Sequence, residues 1–200
     1  MAPVHHRQAA PLLRRASEPG YDAVVMDGMK ALSELTAVSD PALPLVLDWI
    51  KAAQCPVEVL PCSENDGADA LVRTQVTIRS PMGAICYRTG GVLVDDGWLR
   101  ILGAGHPRLP RSLPSWNEGR APTDRDGRPA FLLVADDAIG GFFAINGGGI
   151  DGAEVGKVAY LAPDTLSWED THLSYSDFLV WSWSGKLDEY YRGRRWDGHG

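Results

Sequence analysis

Cysteine is scarce in this chain and forms no pattern. The three cysteines, Cys55, Cys62 and Cys86, are an odd number. None are spaced as C-x-x-C, and the Cys55–Cys62 interval fits no zinc knuckle. A disulfide framework and a structural zinc site are therefore excluded as the basis of folding. The thiols read as reduced, which suits the cytoplasm, and Cys86, flanked by apolar residues, reads as a small buried hydrophobe. Cations are also in short supply. Lys and Arg number 19 against 26 Asp and Glu, a formal net charge of −7. That balance disfavours non-specific binding to nucleic acid, which needs clustered positive charge, and the short groups Arg14-Arg15 and Arg192, Arg194, Arg195 read as solvated surface. No run of eighteen apolar residues is present, so no membrane helix is expected. The N-terminus lacks the continuous apolar segment of a secretory signal.

Catalytic signatures are missing as well. G-x-S-x-G, H-E-x-x-H and the Walker P-loop do not occur. Gly103-Ala104-Gly105 opens a G-x-G without the third glycine or a following helix. No cofactor and no metal are implied, and the His5-His6 pair is too isolated to be a metal site.

What is present is turn chemistry and aromatic bulk. Glycine at 22 and proline at 14, with seven tryptophans, punctuate short apolar runs. That pattern favours a β-rich architecture with many turns. The length of 200 residues suits one domain, large enough to fold without staples. Residues 1–25 have no periodicity, and Pro11 interrupts any helix. They read as a disordered or loosely attached tail, with the natural start expected at Met26 or Met29. Residues 26–200 read as a single domain.

A first helix is predicted over about 28–38 from Met29, Leu32 and Leu35. A second starts at Asp40 as N-cap with Pro41 at the first helical position. Leu43, Val46, Leu47 and Ile50 then form one apolar face, which fades near Ala53. Val57–Leu60 reads as a short edge strand and residues 63–69 as a polar loop. Val72, Val76 and Ile78 give residues 70–79 a strand-like run, whose early part reads equally as the end of a short helix. Pro81-Met82-Gly83 is a predicted turn, followed by strands over 84–88, 92–94 and 98–102. The Asp95-Asp96-Gly97 turn joins the last two. Residues 103–128 form a long irregular stretch, pinned in its first part by Leu109, Leu113 and Trp116 and mobile over 118–128. A second meander follows: 130–136 as a continuous apolar strand, 142–146, and 157–161. The C-terminal helix is predicted over 174–191, capped by Ser174 or Ser176 and broken or bent at Gly185.

Chemistry has few candidates. His106, between Gly105 and Pro107, has the residue type of a general base, with Asp95, Asp96, Asp136 and Asp137 as turn-located acids that might approach it. The ordinary role for each is to hold a turn. Gly147-Gly148-Gly149 after a strand has the composition of an anion cradle and equally of a loop needing positive φ. Trp181 and Trp183 are two apart and cannot share one helical face. Some aromatic surface is therefore offered outside the core, the composition of a binding hot spot.

Long motifs carry a family likeness. These are Pro41 to Ile50, Arg79 to Ile85, Gly97 to Leu109, Ser112 to Asn117, Gly140 to Gly148 and Tyr160 to Glu169. Together they resemble the bacterial family called domain of unknown function 2625, over about Met29 to Trp196. More distantly, helices before a Gly/Trp-rich meander, a Gly-Phe-Phe-Ala strand and a closing helix are similar to the SUKH superfamily, many bacterial members of which are immunity proteins that neutralise toxins. The expectation is an α+β fold, a mostly antiparallel twisted sheet of two meanders flanked by N-terminal helices and a C-terminal helix. The expected role is a cytoplasmic protein-binding module whose partner is another protein, a toxin with a basic surface being the case the second likeness implies. Nucleic acid and membrane are not expected partners, and the oligomeric state is left open. Trp98, His106, Trp116, Asp136 and Asn146 are the expected binding rim. The rivals are a small hydrolase using His106 with a nearby Asp, and a small-molecule or sugar-binding protein.

Overall fold

The computed structural model describes residues 28–123 and 127–193. The expectations for residues 1–25, for Met26 as a start and for Trp196 lie outside them. The fold is α+β. Seven strands form one antiparallel sheet in sequence order: β1 Val57–Leu60, β2 Gly91–Val94, β3 Leu99–Leu102, β4 Phe131–Asp137, β5 Phe142–Asn146, β6 Val158–Leu161 and β7 Trp168–Leu173. The two expected meanders are thus halves of one sheet, joined where β3 pairs with β4. The apolar run of β4 fits its place at the centre.

Three expectations fail before β2. Asp40 does not cap a helix; helix α2 spans Leu43–Lys51 behind Ala42, with Pro44 in its first turn. Asp40 instead accepts two hydrogen bonds from the Arg79 guanidinium. The expected loop over 63–69 and the start of the expected strand over 70–79 are helix α3, Glu64–Thr74. The expected turn and strand over 81–88 are helix α4, Pro81–Arg88. Local capping explains both. The Ser63 hydroxyl accepts from the Asp66 N–H and donates to the Asp66 carboxylate. Ser80 accepts from the Gly83 N–H ahead of Pro81, and Met82, Ile85 and Cys86 follow at helical spacing and are buried. The first strand of the meander is accordingly 57–60, not 84–88.

Close approach needs two glycines here. A Cβ at Gly67 would lie 2.1 Å from the Tyr87 carbonyl oxygen, and one at Gly83 2.1 Å from that of Thr77. The first helix, α1, covers only Leu32–Thr36. Inside the long stretch after β3, Leu109 and Leu113 are buried as expected, and a short helix, α5 Leu113–Asn117, forms there. The Asn117 amide donates to the Leu133 carbonyl and accepts from its N–H, which clamps α5 onto β4 beside a bulge.

The main core lies on one sheet face under α6, Tyr175–Trp183, and α7, Leu187–Tyr190. Ser174 and Asp177 form the capping box of α6. The two helices part at Gly185, whose φ of +74° is costly for any residue with a Cβ. A smaller cluster of Leu133, Ala144, Ile150 and Ala159 fills the opposite face, with Trp116, Phe131, Phe142 and Trp168 against it. No helix among the described residues is long and apolar enough to cross a membrane.

Candidate functional site

Register decides which side chains meet. Phe143 on β5 faces Tyr160 on β6, which faces Glu169 on β7. Paired residues share a sheet face, so these three stand in a row under α6 and α7. Trp181 of α6 and Tyr190 of α7 close over them. The result is a concavity of about 200 Å³ lined by Phe143, Tyr160, Glu169, Trp181, Tyr190 and the β7 residues Asp170, Thr171 and Leu173.

Its walls are rings set at steep angles. Trp181 and Tyr190 have centroids 5.2 Å apart and planes 86° apart; Tyr160 and Tyr190 are 5.7 Å and 75° apart. Phe143 lies 4.7 Å from Tyr160 at the floor. The mouth is set by a bulge in β7, where Ala159 pairs with Asp170 but Val158 pairs with Leu173. His172 takes φ +59° there. Asp170 holds the bulge by accepting from the N–H groups of Glu154 and His172, which keeps its carboxyl below the usual carboxylate range. The Thr171 hydroxyl donates to the Val158 carbonyl. Glu169, exposed at the lip, has no ion pair or side-chain hydrogen bond among the described residues.

A second carboxylate sits behind the floor. Asp137, 1% exposed, accepts from the hydroxyls of Tyr160 at 2.8 Å and Tyr191 at 2.9 Å, and from the N–H groups of Ile139 and Gly141. These four donors are neutral. Burial first, and the Asp137 charge second, push the Tyr191 phenol far up, so it stays a donor. Asp137 is thus fully hydrogen-bonded behind the floor, and the carboxylate left open to the pocket is Glu169 at the lip.

The expected rim residues fall elsewhere. Trp98 is 0% exposed and packs edge-on against Tyr191 at 5.6 Å, so it has no surface to offer a partner. Asp136, on the sheet face opposite Asp137, is buried in ion pairs with Arg100 and Arg111. Asn146 is buried and is a loop scaffold. It donates to the carbonyls of Ile150 and Ala153 and accepts from the N–H groups of Gly148 and Ile150. The Gly147–Gly149 cradle fails with it, because the other two glycine N–H groups both donate to the Ala130 carbonyl. Trp116 is half-buried between the guanidinium groups of Arg111 and Arg120, 5.2 and 4.1 Å from its ring. Arg111 thus brings Trp116 and Asp136 together. His106 is half-buried, its Nδ1 accepting from the Arg108 N–H. It lines neither the aromatic pocket nor the second concavity, of about 230 Å³, formed by Pro56, Val57, Glu58, Leu93 and Asp96, and so the hydrolase reading gains no geometry. Among the described residues no group of three or more His, Cys, Asp and Glu is placed to hold a metal ion.

Reading along the chain missed the pocket because its walls come from five separate elements. One signal did point to it. Of the pair that cannot share a helical face, Trp183 is 2% exposed in the core and Trp181 is left for the pocket.

An open seven-stranded antiparallel meander, helices on its core face and an aromatic pocket at the β7 end together define the class. The chain belongs to the family described as Protein of unknown function DUF2625, matched over residues 32–199. It is 44% identical over 173 residues to the uncharacterised protein YbfG of Escherichia coli (strain K12), covering 84% of this chain and 76% of that one. It is 39% identical over 168 residues to an uncharacterised protein of Haemophilus influenzae, covering 84% and 73%. No solved structure matches the chain.

Proposed function

We propose that this chain is a cytoplasmic protein-binding module that engages a partner with a basic surface. The observation that carries the reading is the pocket: aromatic walls with a carboxylate at the lip, Glu169, that has no partner among the described residues. Partly exposed Trp and Tyr are the residue types of interface anchors. The net charge of −7 speeds encounter with a basic protein. The concavity is smaller than the clefts that enclose drug-sized ligands, roughly 300–1,000 Å³, and suits one inserted side chain. The specific case of an immunity protein that neutralises a toxin is what the distant resemblance to the SUKH superfamily implies.

The test is affinity capture from the native host with the wild-type chain and with Glu169→Lys, followed by reconstitution with the purified partner. A partner that binds the wild type and is lost at least about tenfold in affinity on charge reversal supports the reading. Identical captures by both proteins would overturn it.

A further inference from the structure

We infer that the aromatic pocket holds a single alkylammonium group, that of a lysine side chain on the partner, bare or methylated; this rests on the protein-partner reading above. Three features select the chemistry. The first is sign. Glu169 stands at the lip without a counter-charge among the described residues, so an anion is repelled at the mouth. The second is ring orientation. Trp181 and Tyr190, the two partly exposed rings, meet at 86°, which forms a corner, with Tyr160, 1% exposed, closing its floor beneath them. A rounded ammonium or methylammonium touches several walls of a corner at once and is attracted by their π faces. A planar guanidinium stacks best on flat aromatic faces, and a sugar ring likewise needs a flat platform. The third is size: about 200 Å³ admits one head group and its first methylenes.

Hydration then orders the ligands. A bare ammonium is strongly hydrated and gives up water to enter an aromatic corner. Each added methyl lowers that cost and adds apolar contact with the rings. Trimethyllysine should bind most tightly, then dimethyllysine, then lysine, with a neutral isostere last. Asp137 acts only as a positioning residue, since two tyrosine hydroxyls and two backbone N–H groups enclose it.

The experiment is a titration of the full chain, followed by backbone and indole NMR resonances. The probes are choline, its uncharged isostere 3,3-dimethyl-1-butanol, and short peptides carrying lysine or trimethyllysine. Choline should saturably shift the resonances of Glu169, Trp181 and Tyr190, with a Kd at least about tenfold below that of the alcohol. Glu169→Gln, at an exposed position, should weaken choline about fivefold and leave the rest of the spectrum in place. Trp181→Phe assigns the indole signal and keeps a ring in the wall. Equal binding of choline and the alcohol, or shifts outside the pocket, would overturn the proposal. Choline binding without any response to the lysine peptides would overturn the lysine source and leave a free ammonium ligand. A protein partner held equally well by wild type and Glu169→Gln would leave the partner reading standing and sink this one.

Discussion

Replacing Asp137 by alanine removes the acceptor that four donors share. The Gly141 N–H and the hydroxyls of Tyr160 and Tyr191 are buried, while the Ile139 N–H is only partly so. A buried donor left without a partner costs about 1–3 kcal/mol. Three such groups, with some relief from water entering the space, give a loss of about 5 kcal/mol. That approaches the whole stability of a weakly stable domain. Asp137→Asn separates charge from shape. Its oxygen can keep the two backbone N–H groups while its NH2 turns toward the two tyrosine oxygens. The two hydroxyl protons then lose their acceptor, and the charge-assisted share of the bonds goes, for about 2 kcal/mol.

The assay is urea unfolding followed by circular dichroism, with the slope checked to be unchanged so that midpoints report stability. Tyr191→Phe alone should cost about 1.5 kcal/mol, and much less on top of Asp137→Ala, a coupling of about 1 kcal/mol. The order alanine, asparagine, wild type is the claim. Asparagine as damaging as alanine would mean that charge, not donor satisfaction, holds the site. Alanine within about 1 kcal/mol of wild type would refute the argument that these donors depend on Asp137, since that is below the cost expected for even one orphaned donor of typical size.

Burial also sets an alkaline limit. The phenols of Tyr175 and Tyr191 are pushed well above their ordinary value of 10.0 by desolvation. Their contribution is full below about pH 10 and is lost as pH rises beyond it, because the unfolded chain ionises first. Tyr191→Phe should therefore lose stability less steeply than wild type above pH 10, and parallel curves would count against this. Cys86, which burial pushes up to about 11, should react with a thiol reagent at pH 8 only as the protein opens. Fast labelling of Cys86 in the native state would contradict its burial. Gly67→Ala, whose Cβ meets a backbone carbonyl that cannot rotate away, should cost about 2–3 kcal/mol in the same urea assay. A neutral outcome would show that α3 and α4 have room to separate.

Turn and cap chemistry made much of the fold readable. Asp95 and Asp96 take positive φ ahead of Gly97 in the hairpin, as that tripeptide leads one to expect. The break of the C-terminal helix at Gly185 and the cap at Ser174 follow from local preference. Residues 63–88 misled because Val72, Val76 and Ile78 have strand propensity, which is weaker than a capped helix packed against a neighbour. The better signal was Ser63 with Asp66, and Ser80 before Pro81. Strand β7 was missed for a different reason. Trp168-Glu-Asp-Thr-His-Leu is a polar edge strand, and one bulged at His172, so its alternation is broken where it matters. Pairing of β3 with β4 spans a stretch of more than two dozen residues, and no local pattern encodes such a contact.

The site was less legible than the fold, and the reason bears on how aromatic residues should be weighed. The five expected rim residues have the chemical types that binding sites use and stand near turns in the sequence. Three of them are buried precursors of shape: Trp98 behind Tyr191, Asp136 between two arginines, Asn146 inside its loop. A buried polar group with every bond made is a poor candidate for binding, because engaging a ligand would cost the bonds it already has. Glu169 is the opposite case, a carboxylate beside aromatic rings with no bond to lose among the described residues. On an isolated edge strand such a residue is ordinary solvated surface. It becomes informative only when the register places it beside Tyr160 and Phe143 and the Gly185 break brings Tyr190 back over Trp181. The site is thus a product of strand pairing and one helix break, and testing Glu169 tests that geometry directly.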